Sequence, residues 1–106
     1  MITIELKSNL NRRKVVLDGH ADYAEAGKDI VCAGVSTLAQ TYYSFLQEMQ
    51  NYQRVHISSL YMKEGHFELE CIVSSGWTMA AYDMLKCGLE GIADAYPQFV
   101  KIFEKK

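Results

Sequence analysis

Proline is nearly absent from this 106-residue sequence, occurring once, and repeats and low-complexity segments are missing altogether. With 49% hydrophobic residues the chain is neither a disordered tail nor a linker array. No apolar run approaches the roughly 20 residues that span a bilayer. The start, Met1-Ile2-Thr3-Ile4-Glu5-Leu6-Lys7, alternates apolar with polar and lacks the long apolar core of a signal peptide. Charge of one sign is also lacking: 11 basic and 13 acidic residues leave a formal net charge of −2, no general field for a phosphate backbone. No nucleic acid and no membrane is therefore expected as a partner. Cysteines number only three, Cys32, Cys71 and Cys87, without paired or metal-like spacing, which fits a reducing, cytoplasmic compartment. His20, His56 and His66 show no ligand pairing at helical spacing, so no metal or other cofactor is expected. What remains is a single domain, residues 1–106, large enough for a modest core without disulfide or metal staples.

Ile2, Ile4 and Leu6 alternate with Thr3 and Glu5, turn residues Ser8-Asn9-Leu10-Asn11 follow, and Lys14-Val15-Val16-Leu17 comes next. This pattern predicts two strands joined by a turn. Past Gly27, Asp29 is placed to cap a helix. Val31, Val35, Leu38, Tyr42, Phe45 and Met49 then recur at steps of four and three to about Gln50, an amphipathic face that reads as a core stripe. Val55, Ile57 and Tyr61 alternate loosely, Lys63-Glu64-Gly65 turns the chain, and Phe67, Leu69, Cys71 and Val73 oppose Glu68 and Glu70. Cys71 thereby reads as a small buried hydrophobe. Ser74-Ser75-Gly76 offers an N-cap to a second helix carrying Trp77, Ala81, Leu85, Gly88 and Ile92, which Pro97 ends near Tyr96. Gly88 inside that helix costs up to about 1 kcal/mol against alanine, which points to close packing on a neighbour. A last strand covers Phe99 to Phe103. The order β-β-α-β-β-α-β defines an α/β domain with a mostly antiparallel or mixed sheet and two helices, on one face or on both.

Candidate chemistry concentrates between His20 and Cys32. The histidine ends an apolar run and the cysteine opens a helix, whose N-terminus carries partial positive charge that favours thiolate over thiol. The eleven intervening residues, Ala21 to Val31, can fold back and bring imidazole to sulfur. Asp29 can accept the N–H of residue 31 or 32, as a junction or as a plain cap. Ser36, one turn beyond Cys32, reaches the sulfur or bonds back to its own helix. Ala33 and Gly34 leave the first turn open, so the backbone N–H groups of Cys32 and Ala33 are candidates to receive an oxyanion. From these residues alone, a packed cysteine and an activated nucleophile both remain open.

Gly19-His20-Ala21, Tyr23-Ala24, Gly27, Asp29-Ile30-Val31-Cys32-Ala33 and Val35-Ser36 together resemble the signature of the bacterial ribosomal-processing cysteine proteases, the Prp family. The resemblance runs over essentially the whole chain, including Gly88-Leu89-Glu90, Ile92-Ala93 and Tyr96-Pro97, and Gly34 stands where alanine is more usual. It implies a specific endopeptidase that removes a short hydrophobic N-terminal extension from ribosomal protein twenty-seven of the large subunit. By motif match Cys32 is the nucleophile, His20 the general base and later acid, and Asp29 and Ser36 hold supporting positions. The resemblance also implies a homodimer and a mobile loop over the site, here Ala21 to Lys28, for which Gly27 is a candidate hinge. Tyr23, Tyr43, Trp77 and Tyr82 are candidates to line an apolar substrate cleft. Two other readings stand beside it: a non-catalytic ribosome-assembly binding protein with a structural Cys32, and a single-thiol redox sensor. The absence of a Cys-x-x-Cys motif counts against dithiol exchange.

Overall fold

The computed structural model describes residues 1–25 and 28–106; Gly27, the expected hinge, lies outside the described residues. Seven elements follow in the expected order: β1 (Ile2–Asn9), β2 (Arg12–Asp18), α1 (Ile30–Asn51), β3 (Val55–Lys63), β4 (His66–Val73), α2 (Gly76–Ala95) and β5 (Val100–Lys105). They build one five-stranded sheet in the order β3-β4-β2-β1-β5. The β1–β5 pair is parallel and the other three are antiparallel, so the sheet is mixed.

Both helices cover one face. In register, Leu6 lies opposite Val15, which lies opposite Leu69, while Ile4 meets Leu17 and Leu17 meets Phe67. All of these are buried. Their alternate neighbours form the open face, where Lys14 reaches Glu68 at 3.8 Å and Arg12 reaches Glu70 at 3.9 Å. The loose alternation of β3 has a local cause: a bulge between Ile57 and Ser59 shifts the pleat by one residue, and Tyr61 ends up exposed.

Asp29 caps α1 as expected, but the stripe differs in detail. The helix buries Val31, Val35, Ala39, Tyr42, Leu46 and Met49 on the sheet. Leu38 and Phe45 are only half-buried and turn toward α2. In α2, capped by Ser75, the sheet-facing residues are Thr78, Tyr82, Leu85 and Leu89. Trp77, expected in that stripe, is 61% exposed and lies under the Arg54 guanidinium, 4.6 Å from the ring centre. Gly88 does mark the helix crossing: a β-carbon there would sit 3.0 Å from both methyls of Leu38. Cys71 is fully buried, 3.7 Å from the Tyr42 hydroxyl, and burial pushes its thiol pKa up.

Candidate active site

At one end of the sheet β2 stops at Asp18, and the chain turns through Gly19 in the left-handed region (φ +98°). A side chain there would run into the Met1 carbonyl. The turn delivers His20 to the mouth of a cleft of about 480 Å³. Its floor is apolar, from Ile2, Leu17, Val35, Ala39 and Phe67. Its rim carries Cys32, Ser36 and Gln40 from α1, together with His20 and the neighbouring turn residues Met62 to His66. His20 and Cys32 therefore share one cavity, with the imidazole exposed and the thiol half-buried. Ser36 and Gln40 follow Cys32 at successive turns of α1, on the same face. A second hollow shares His20, Cys32, Ser36 and Glu64 with this cleft and is bordered also by Asp22, Asp29 and Ala33.

Asp29 joins the two halves of this site. Its Oδ1 accepts the Cys32 N–H at 2.9 Å and its Oδ2 accepts the Tyr23 N–H at 3.0 Å. One carboxylate thus ties the segment after His20 to the helix that carries Cys32. Burial pushes its pKa up, but the backbone N–H groups of Cys32, Tyr23, Ala24 and Val31 outweigh this and hold it below the ordinary 3.8. The His20 side is tied again by the α-amino group of Met1, which donates to the His20 carbonyl and lies 3.6 Å from Asp22.

The structure gives the expected oxyanion donors partners of their own and places the expected aromatic residues outside the cleft. The N–H of Cys32 is held by the Asp29 carboxylate and that of Ala33 by the Asp29 carbonyl at 3.0 Å. Helix capping has engaged both expected oxyanion donors, because the third and fourth positions of a capped helix are where side-chain and main-chain bonds close the first turn. The aromatic residues expected in the cleft are elsewhere. Tyr23 stacks edge-on against Tyr96 and Phe99, Tyr82 is buried under α2, Trp77 lies by Arg54, and Tyr43 bonds Gln47. The hydrophobic floor comes from strand and helix aliphatics and Phe67 instead. Gln40, Glu64, Gly65 and His66 were not singled out from the sequence. Gln40 was within reach of it, since Cys32, Ser36 and Gln40 share a four-residue spacing; the turn residues depend on strand order, which spacing does not encode.

A family model described as cysteine protease Prp matches residues 1–101. This chain belongs to the Prp family of cysteine proteases. Of the three cysteines, Cys32 alone lines the cleft. The ribosomal processing cysteine protease Prp of Staphylococcus aureus is 48% identical over 40 residues, a stretch covering 36% of this chain and 38% of that relative. The aligned part is thus well under half of the curated protein's length. Over the full chain the fold matches a crystal structure of an essential S. aureus ribosomal processing protease Prp with a covalently linked product peptide. There the TM-score is 0.82 at 24% identity, covering 99% of this chain and 100% of that one. A second S. aureus Prp structure, with a substrate peptide, gives a TM-score of 0.72 at 23% identity over 99% and 100% of the two chains. A Streptococcus mutans protein gives a TM-score of 0.78 at 26% identity over 100% and 96%.

Proposed function

We propose that this Prp-family protein is a specific cysteine endopeptidase whose single domain, residues 1–106, uses Cys32 and His20 as a dyad. The observation that carries the reading is that these two residues, from the start of α1 and the end of the β2 turn, line one cleft with an apolar floor. His20 takes the thiol proton and the Cys32 sulfur attacks the scissile carbonyl. The C–N bond breaks as His20 returns the proton to the leaving amine, and water then hydrolyses the thioester to free the acid and restore the thiol. The N–H groups of Cys32 and Ala33 serve the oxyanion only if Asp29 yields them when substrate binds; the Ser36 hydroxyl is a further donor in the cleft.

The substrate in this proposal is a large-subunit ribosomal protein precursor, number twenty-seven, cut within the cytoplasm at a short hydrophobic N-terminal extension. Support comes from the apolar floor, from the ribosomal processing role in the relatives' names, and from the covalent product peptide held by the S. aureus protein of the same fold. No described helix is long and apolar enough to cross a membrane. The protein works as a homodimer, for which the apolar groove between α1 and α2 offers a surface. Incubating the purified protein with the extended precursor and reading the products by mass spectrometry tests the substrate and the dyad. One shortened product that disappears in Cys32→Ala supports the dyad. Intact precursor that still binds both proteins favours a non-catalytic assembly factor.

A further inference from the structure

The β3–β4 turn crosses the mouth of the cleft and touches the His20 segment twice. The Gly65 carbonyl accepts the Gly19 N–H at 2.8 Å, which fixes the backbone immediately before His20. The His20 ring then lies over Gly65 itself: a β-carbon at position 65 would fall 2.8 Å from Nε2, 3.4 Å from Cε1 and 3.5 Å from Cδ2. The turn is anchored in its own right, because His66 Nδ1 lies 2.8 Å from Asp18 Oδ1 and Nε2 lies 3.4 Å from Glu68 Oε1. Asp18 and His66 are also register partners, so this pair clips the turn to the strand that ends in Gly19 and His20.

We propose that Gly65 is a positioning residue for the His20 imidazole, its missing side chain leaving the ring a seat against the β3–β4 turn. This rests on the reading of His20 as the base of the dyad. Gly65 holds a left-handed backbone (φ +79°), so glycine is favoured here by the turn and by the ring independently. The two demands separate experimentally. An alanine meets both the backbone strain and the ring, whereas asparagine tolerates the left-handed region better and meets the same ring atoms. Because the opposing group is the far end of an exposed side chain, the ring gives way while the sheet stays in place.

The test uses the full chain, as Gly65→Ala, Gly65→Asn, His20→Ala and the double variant His20→Ala/Gly65→Ala. In both single Gly65 variants the His20 ring proton resonances shift while those of exposed His56 stay. Turnover of the precursor falls about tenfold to a hundredfold, as expected for a displaced catalytic group, with KM little changed. The pH profile of Cys32 alkylation moves toward that of His20→Ala, and the double variant is no worse than His20→Ala alone. Unchanged His20 resonances, recovery of turnover by asparagine, or additive losses in the double variant would each overturn the proposal. Cleavage that survives Cys32→Ala would instead overturn the dyad, and the resonance shift then still decides whether Gly65 seats the ring.

Discussion

The cleft beside Cys32 and the groove between α1 and α2 are nearly equal in size, about 480 Å³ and about 420 Å³. The second is the more apolar, walled by Leu38, Phe45, Trp77, Met84 and Leu85. Hydrophobic volume alone would choose it. The cleft differs in having a thiol, two imidazoles, a hydroxyl, an amide and both signs of charge converging on one rim. Chemistry needs that convergence, and the groove, built from the flanks of two regular helices, supplies none. The contrast extends to the backbone: the cleft is framed by Gly19 and Gly65 at positive φ and by a capping carboxylate with two separate partners, the groove by uninterrupted helix.

The strongest way to break this contrast is to empty the cleft of its reacting groups. Cys32→Ala is expected to remove precursor cleavage altogether, and His20→Ala to lower turnover by about 10²- to 10⁴-fold. Melting temperatures should stay near that of the parent, because the histidine is exposed and the cysteine only half-buried. Any cleavage by Cys32→Ala, or cleavage by His20→Ala at the parent rate, measured by mass spectrometry, would move the chemistry elsewhere. Next comes the joint between the two halves of the site. Asp29→Ala loses a helix cap worth about 1 kcal/mol and also releases Tyr23, so its activity should fall further than its stability alone accounts for.

The same carboxylate gives a pH signature. Its folded pKa is lowered, so it stabilises the fold above the unfolded value of 3.8, and this contribution is lost as pH falls through the still lower folded value. Thermal melts of the parent and Asp29→Asn should therefore converge on acidification below that range. A smaller effect of opposite sign belongs to His66. The Asp18 carboxylate bonded to it outweighs its burial and, with Glu68, raises its pKa above 6.5. Its stabilisation is complete below pH 6.5 and fades as pH rises through the folded value, so the melting difference between the parent and His66→Gln should narrow on the alkaline side. The smallest change is expected in the other cavity. Trp77→Ala should leave turnover per chain within about twofold, as for most surface substitutions; a larger loss would make the groove part of the site.

Much of this architecture was legible from periodicity. Strand alternation, the Asp29 and Ser75 caps, the stop at Pro97 and the close approach at Gly88 all depend on local chemistry and near neighbours, and each is found where the residues place it. What spacing could not reveal depends on tertiary order. Leu38 and Phe45 fit a core stripe as well as Ala39 and Leu46 do, and only the position of α2 decides which pair faces the sheet. Trp77 shares the spacing of the second helix's apolar residues, yet it is 61% exposed beside Arg54. At the site, His20 and Cys32 stood out through their local setting. The β3–β4 turn came to them through the β2–β4 pairing, a contact between residues some fifty positions apart that no local pattern records. The partners of the Cys32 and Ala33 N–H groups are local: a helix start offers free N–H groups in general, and here the Asp29 carboxylate accepts the first and the Asp29 carbonyl the second.

The parallel pairing of β1 with β5 has a consequence for synthesis. Ile2 sits beside Val100, and its N–H is bonded to the Phe99 carbonyl at 2.8 Å, so this pairing closes a loop from residue 2 to residue 100. Contacts so far apart in sequence form late, after the more local hairpins. A nascent chain halted before β5 would already contain His20, Cys32 and the β3–β4 turn, yet β1, whose first residues lie beneath His20, would have a bare edge. An aborted translation product would therefore carry both members of the proposed dyad while β1 still lacked its β5 neighbour.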